Sequence, residues 1–267
     1  MTVDDTALPV DVRRARLAAL VDERGFIRVA DAALHLGVSV VTVRGDLTAL
    51  EAQGELRRVH GGAMPRPAAD RESPVERSAE RDAAHKRAIG VAAAGLVASG
   101  SSILLDVGST SLAVAHALVE RATHGDLRDV VVITNGLSTA LALEPAIPRF
   151  TVVVTGGTLR PLQHSLVNPI AATVLDTLHV DTAIIGCNGV DAAGRVTNIN
   201  LPEAEVKRAM LAASTSRVLV ADATKFGATH LGRIGSLEEF GVVVTSGEPD
   251  PAVVEAIAAA GARLLSV

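Results

Sequence analysis

Five short apolar runs in this chain end in turns where Gly, Thr, Asn, Asp or Lys occur together. Leu105 is followed by Asp106-Val107-Gly108-Ser109-Thr110, and Ile133 by Thr134-Asn135-Gly136. Val154 is followed by Thr155-Gly156-Gly157-Thr158, Ile185 by Gly186-Cys187-Asn188-Gly189, and Ala221 by Asp222-Ala223-Thr224-Lys225. Glycine lets backbone N–H groups approach an anion, and hydroxyls add donors. Gly108-Ser109-Thr110 opens a predicted helix, whose N–H groups and dipole suit a phosphate. Any one such turn is ordinary for a strand-to-helix connection; five together point to a polyanion or polyol site. A second polar group lies near the N-terminus. Thr42 suits a phosphate or a base edge, and Arg44 suits guanine bidentately or a phosphate. Arg57, Arg58 and His60 would add backbone contacts.

The elements that must position the second group read as three helices and a hairpin. Val12, Leu17, Leu20 and Val21 recur at helical spacing and stop at Gly25. Val29, Ala33 and Leu36 suggest a second short helix that stops at Gly37. Ser39 is placed to cap a third helix, in which Val43, Leu47 and Leu50 share one face and which Gly54 closes. Val41, Gly45 and Thr48 then face away from the core, with Thr42 and Arg44 on the flanks. Glu55–His60, ending at Gly61-Gly62, reads as a β-hairpin wing. This surface would meet a major groove if the third helix is a recognition helix; periodicity alone leaves a small three-helix bundle with a solvated face equally open.

The strand ends require an α/β domain. The runs Ser102–Asp106, Val130–Thr134, Thr151–Thr155, Thr182–Cys187, Arg217–Ala221 and Val242–Thr245 are short and do not strictly alternate, as buried parallel strands should be. Ile89–Val97, Leu112–Leu118, Ala171–Leu178, Ala204–Ala213 and Ala252–Ala259 supply helices, giving a mostly parallel sheet covered on both faces. Ligands of such sheets bind beyond the carboxyl ends of the strands. The proline-containing stretch from Met64 to Asp70 and the charged segment after it divide the chain. The expected boundaries are 8–64 for the helical domain, 65–80 for a linker and 81–267 for the α/β domain.

Composition narrows the function classes. The 267 residues include 4 Phe and no Trp or Tyr, which argues against base stacking on aromatic platforms. A single cysteine, Cys187, allows no intrachain disulfide and fits a reducing cytoplasm. The N-terminus has no signal-peptide core, and no apolar run is long enough for a bilayer. A net charge of −5 does not advertise nucleic acid, so any DNA-facing charge must be local, around Arg44, Arg57, Arg58 and His60. The histidines show no metal-ligand spacing, and neither a dinucleotide fingerprint nor a phosphate-binding Gly-Lys-Ser/Thr loop occurs, so no metal or cofactor is expected.

Two resemblances sharpen these readings. Val38–Leu47, followed by Leu50-Glu51, Gly54, Leu56, Arg57 and His60–Ala63, closely resembles the winged helix of the DeoR family of transcriptional regulators, over about Arg14 to Met64. Asp106–Thr110, Thr134-Asn135, Gly156-Gly157, Gly186–Gly189, Glu203 and Asp222–Phe226 resemble that family's sensor domain, over about Arg81 to Thr245. The resemblance implies a sensor related in fold to ribose-5-phosphate isomerase. It implies a repressor of carbohydrate genes that binds double-stranded operator DNA and is released by a phosphorylated sugar. By position, Gly108, Ser109 and Thr110 would hold phosphate, Asp106, Glu203 and Lys225 would meet hydroxyls or the carbonyl end, and Gly156 and Gly157 would shape the floor. Asn135 and Asp222 belong to the same set. Three positions depart from the family's pattern: Gly45 where a second arginine is usual, Asn168 for a glycine and Ser246 for an aspartate. Gln163 and His164 lie near Asn168 in the chain, His164 reading as a lone surface histidine.

The rival reading is a sugar-phosphate isomerase with an appended helical domain, in which Glu203, Asp222 and Lys225 would supply base, acid and cation. The intact length and punctuation of the winged helix weigh against it. One winged helix makes few phosphate contacts, so a homo-oligomer, a dimer or tetramer, is expected.

Overall fold

A computed structural model of the chain describes residues 9–52, 55–65, 73–247 and 249–267. The expected helix stop at Gly54 and the linker residues Arg66–Asp70 lie outside them. The chain divides into two compact units, Met1–Ser73 and Pro74–Val267.

In the first unit, α1 (Val10–Arg24) ends on Gly25 and α2 (Val29–Leu36) on Gly37, both glycines being left-handed. Between them runs the two-residue strand β1 (Ile27–Arg28). α3 (Val40–Ala52) is capped by Ser39, whose Oγ accepts the Thr42 N–H at 3.0 Å. The wing is the hairpin β2 (Leu56–Val59) and β3 (Gly62–Pro65), turning at His60-Gly61, with β1 as a third strand on β3. Leu17, Leu20, Val43, Leu47, Leu50 and Leu56 fill the core.

The second unit opens with α4 (Val75–Glu80) and α5 (Ala83–Ala94). Helix α4 occupies the end of the stretch 65–80 that reads as linker in the sequence. Six residues with one buried apolar side chain, Val75, are too short to show periodicity. Then follow β4 (Ser102–Leu105), α6 (Ser109–Thr123), β5 (Val130–Thr134), α7 (Leu137–Leu143) and β6 (Phe150–Val154). The hairpin β7 (Thr158–Arg160) and β8 (Ser165–Val167) leads through α8 (Ile170–Leu175) to β9 (Val180–Gly186). Next come β10 (Gly189–Val190), β11 (Arg195–Asn198), α9 (Leu201–Ala212), β12 (Ser214–Val220) and β13 (Gly232–Ser236). β14 (Val242–Thr245), α10 (Pro251–Ala259) and β15 (Arg263–Ser266) complete the chain.

Seven strands form one sheet in the order β15-β14-β12-β9-β4-β5-β6, and every pair in it is parallel. Alternate residues feed two cores. Leu104, Ile133, Ile185 and Leu219 pack under α8, α9 and α10, while Ile103, Leu105, Val132 and Ile184 pack under α5, α6 and α7. The sheet grows outward from β4 through β5 to β6, then restarts on the other side of β4 with β9. That reversal is the switch point at which α/β sheets of this kind open a crevice for a ligand. The antiparallel sheet β10-β11-β13 and the β7–β8 hairpin are additions the apolar runs did not predict, because their strands of two to five residues carry little period-2 signal.

Candidate functional site

On the first unit, the outer side of α3 carries Val41, Arg44, Gly45 and Thr48, all exposed. Val41 is 76% exposed. Thr42 is half-buried, and its hydroxyl lies 2.8 Å from that of Ser39. Arg57 and Arg58 project from β2, and His60 sits in the turn. Arg58 is fastened to the helix: its Nη1 donates to Thr48 Oγ1 at 2.8 Å and its N–H to Glu51 Oε1 at 2.9 Å. Helix and wing therefore form one continuous surface. Sequence reasoning missed Asp46. It faces inward from α3, 2% exposed, and accepts Arg13 Nε at 2.6 Å and Arg14 Nε at 3.0 Å. Burial pushes its carboxyl up, but the hydrogen bonds from Arg13 and Arg14 outweigh that and hold it below the usual carboxylate value.

On the second unit, the five polar turns follow β12, β9, β4, β5 and β6, which are adjacent in the sheet. Because the strands are parallel, all five turns lie at one edge. At the switch point Asp106 follows β4 and is fully buried; its Oδ2 accepts the Gly186 N–H at 3.0 Å and lies 2.7 Å from Lys207 Nζ. Lys207 also donates to the Gly186 carbonyl at 2.9 Å, bridging β4 and β9. Burial pulls the Lys207 ammonium down, but Asp106 and Glu203 outweigh it and keep the lysine above its usual value.

Three buried polar atoms here have no hydrogen-bond partner among the described residues: Asp106 Oδ1, Ser111 Oγ and Asn135 Oδ1. Such groups are costly unless something satisfies them. Asp106 lies in the turn before α6, Ser111 in the first turn of α6, and Asn135 follows the neighbouring strand β5. At the start of α6 Gly108 holds φ 101°, a conformation that side chains rarely adopt, and offers no side-chain cap to the first N–H groups. Ser109 and Thr110 are half-buried in the first turn. Asn135 donates to the Leu166 carbonyl at 3.1 Å, so the β7–β8 hairpin lies across the end of β5.

Other expected residues are already committed. Glu203 is bound by Arg160, by Ser165 Oγ at 2.5 Å and by Asn198 Nδ2 at 3.3 Å, rather than presented to a ligand. Asp222 caps the turn 223–225, accepting the Thr224 N–H at 3.0 Å, with Lys225 Nζ 3.8 Å away. Gly157 serves packing: a Cβ there would lie 2.3 Å from the Val167 carbonyl oxygen, whereas one at Gly156 would touch only Ile170, at 3.6 Å. Asn168 donates to Glu205, and Ser246 Oγ is buried without a partner among the described residues. His164 is not a lone surface histidine; its Nδ1 lies 2.6 Å from Ser138 Oγ and 3.5 Å from Glu76. Lys207 and Glu203 were legible as a pair of charges on the buried stripe of α9, four residues apart beside Met210 and Leu211. Arg160 and Ser111 give no such signal. Among the described residues no three His, Cys, Asp or Glu stand together as metal ligands would, and no helix is long and apolar enough to cross a membrane.

Comparison with known proteins covers both units. Residues 13–65 match the family model described as a DeoR-like helix-turn-helix domain, and residues 81–247 match the DeoR C terminal sensor domain. The HTH-type transcriptional regulator GlpR of Haloferax volcanii is 33% identical over 97% of this chain and 98% of its own. The HTH-type transcriptional repressor CsqR of Escherichia coli is 33% identical over 93% and 92%. The glycerol-3-phosphate regulon repressor of Escherichia coli is 29% identical over 92% and 94%. The ribose 5-phosphate isomerase of Plasmodium falciparum superposes with a TM-score of 0.39 at 20% identity, over 53% of this chain and 52% of that one.

Proposed function

This chain belongs to the DeoR family of transcriptional regulators, and from that membership we propose a repressor that a phosphorylated sugar or polyol releases from its operator. The winged helix binds DNA; Arg44 reads a base edge, and Val41 and Gly45 allow close approach to the groove floor. Ser39 and Thr42 fix the helix start, and Thr48, Arg57, Arg58 and His60 line the phosphate backbone. The protein works as a dimer or tetramer on paired half-sites, in the cytoplasm where its DNA is.

The observation that carries the effector reading is the group of unsatisfied buried atoms on Asp106, Ser111 and Asn135 beside the amino end of α6. The helix end suits a phosphate, while Asp106 Oδ1 and Asn135 Oδ1 are acceptors that call for hydroxyl donors on the ligand. Gly108, Ser109 and Thr110 would take the phosphate. Gly156 and Gly157 close the floor, and Glu203, Asp222 and Lys225 support the loops around it. Several relatives bear names that include "repressor", one of them of a glycerol-3-phosphate regulon, which supports the sign and the ligand class. Turnover is disfavoured because Glu203, the base an isomerase would need, is engaged by Arg160, Ser165 and Asn198.

The test is titration of a protein–operator complex with sugar phosphates and their unphosphorylated parents. The phosphate esters should release the DNA and the parents should not; equal action by both would refute the phosphate site. Asp106→Asn should bind operator and lose the response.

A further inference from the structure

Helix α4 is the first element of the second unit and so the one that follows the DNA-binding unit in the chain. Six residues do not hold a helix in water by themselves. Helix α4 buries Val75 and packs against α6 and α5, and a set of bonds ties it to the loops around the proposed effector site. At its start, the Val75 N–H donates to the Leu162 carbonyl at 2.8 Å, and the Glu76 carboxylate lies 3.5 Å from His164 Nδ1. Leu162 and His164 flank Gln163 in the turn between β7 and β8. Gln163 Oε1 stands 4.0 Å from the place a Cβ on Gly108 would occupy, at the amino end of α6. The turn is pinned in turn to α7, where the Leu137 N–H donates to the His164 carbonyl at 2.9 Å. Past the end of α4, Lys86 is 6% exposed and donates to the Ser78 and Arg81 carbonyls at 2.5 and 2.6 Å. The charges of Asp222 and Lys225 act on that same ammonium.

We propose that α4 is the lever of the regulator: a ligand at Gly108 displaces or recruits Gln163, the 162–164 turn moves with it, and the bonds from Leu162 and His164 pass that movement to α4. This rests on the effector site proposed above. The turn is bonded on both sides, to α4 through Leu162 and to α7 through His164, and the lever requires it to exchange between a state that holds α4 and one that does not. A ligand that prefers one of them shifts the population of α4, the element that follows the winged-helix unit in the chain. Coupling is reciprocal, so operator binding changes ligand affinity by the same factor.

Two substitutions in the full chain separate the lever from the site. Val75→Pro removes the N–H that donates to Leu162, at the first helical residue, where proline is tolerated, and exchanges the buried valine for a smaller apolar ring; Pro74 at ψ 144° already has the backbone a residue before proline needs. Glu76→Gln removes the charge facing His164. The probes are inorganic phosphate, glycerol 3-phosphate, fructose 1-phosphate and ribose 5-phosphate, with ligand affinity read by calorimetry and operator affinity by fluorescence anisotropy. The wild-type protein should show an operator shift of about 5–150-fold with its best probe. Val75→Pro should bind that probe within about threefold of wild type and shift operator affinity less than about twofold, with Glu76→Gln in between. Variants that keep the wild-type shift overturn the lever and leave the effector site standing. Variants that no longer bind the probe overturn it too, since α4 would then build the site rather than report on it. A wild-type protein that no probe shifts overturns the effector reading and the lever with it. Should Val75→Pro fail to fold, the exposed Glu76→Gln decides alone.

Discussion

Asp46 accepts Arg13 across 33 residues of chain at 2.6 Å, from the inner side of the same helix that carries Arg44 on its outer side. A helix that must lie in a groove has to be fixed about its own axis, and apolar packing alone fixes rotation weakly. The ion pair supplies a directional constraint, with Arg14 completing a three-residue clamp on α1. Asp46→Ala removes the buried carboxylate that Arg13 and Arg14 share and should destabilise the winged helix by about 3 kcal/mol, read by denaturant unfolding. The folded Asp46 carboxyl lies below its unfolded value, so its contribution is present above the ordinary carboxylate range and is lost as pH falls through the folded value. The acid limb of the melting profile, below about pH 4, should therefore be shallower in Asp46→Asn than in wild type.

Arg44→Ala should leave the fold intact, since the side chain is exposed and packs in no core. If it reads a base, operator discrimination should fall by about 1–3 kcal/mol while binding to random DNA changes less. Anisotropy titrations at one salt concentration, with circular dichroism as control, measure this; unchanged operator affinity would remove α3 from the groove.

The winged helix was legible because each of its signals is local: Gly25 and Gly37 as stops, Ser39 as cap, and Val43, Leu47 and Leu50 as an inward stripe. The six predicted strands were legible for the same reason, being short apolar runs flanked by turn residues; five of them are largely buried, while β6 lies at the sheet edge with Val153 and Val154 exposed. What the sequence did not show is long-range. Asp46 occupies a buried position in α3 that periodicity assigns to an apolar residue, and only its distant partners explain it. Arg160 reaches Glu203 from the end of β7, and Glu203, expected to meet a ligand, is instead consumed by Arg160, Ser165 and Asn198.

Gly45 has no reason within the chain to be glycine. Its backbone is helical, and a Cβ there would meet nothing within 4 Å. Glycine inside a helix costs about 1 kcal/mol relative to alanine, so Gly45→Ala should raise the stability of the first unit by roughly that amount. If the outer side of α3 meets DNA as proposed, a glycine there allows close approach, and Gly45→Ala should weaken operator binding while stabilising the fold. Alanine that leaves operator affinity unchanged would show that the small residue serves no contact.

Burial pushes the Cys187 thiol up to about 12. Thiolate, the reactive form, should be on the order of a thousandfold scarcer at neutral pH than in an ordinary cysteine. Iodoacetamide should label the folded protein only slowly and the denatured protein at once, as followed by intact mass. Cys187 is half-buried, so fast labelling of the folded protein would mean that solvent reaching it keeps its thiol nearer the ordinary value.

The pair of Asp106 and Lys207 gives the most exacting test of the sensor site, because each residue alone is harmful without the other. Both are less than 5% exposed, and the ammonium and carboxylate lie 2.7 Å apart. Lys207→Met leaves a carboxylate buried beside an apolar side chain and should cost about 3–5 kcal/mol. Asp106→Asn strands the ammonium instead, though the Gly186 carbonyl still accepts from it, so the loss should be smaller. The double variant removes both charges, and the double-mutant cycle should return much of the lost stability, because a buried ion pair and a neutral pair of similar volume are often close in energy. Ligand binding should not return with it. Asp106 Oδ1 is buried without a partner among the described residues, the acceptor that the proposed site offers to a hydroxyl, and asparagine puts in its place either a weaker acceptor or a donor. Thermal melts and calorimetry on the same four proteins separate the two roles. A double variant that is stable and still binds sugar phosphate like wild type would show that Asp106 holds the loops and touches no ligand.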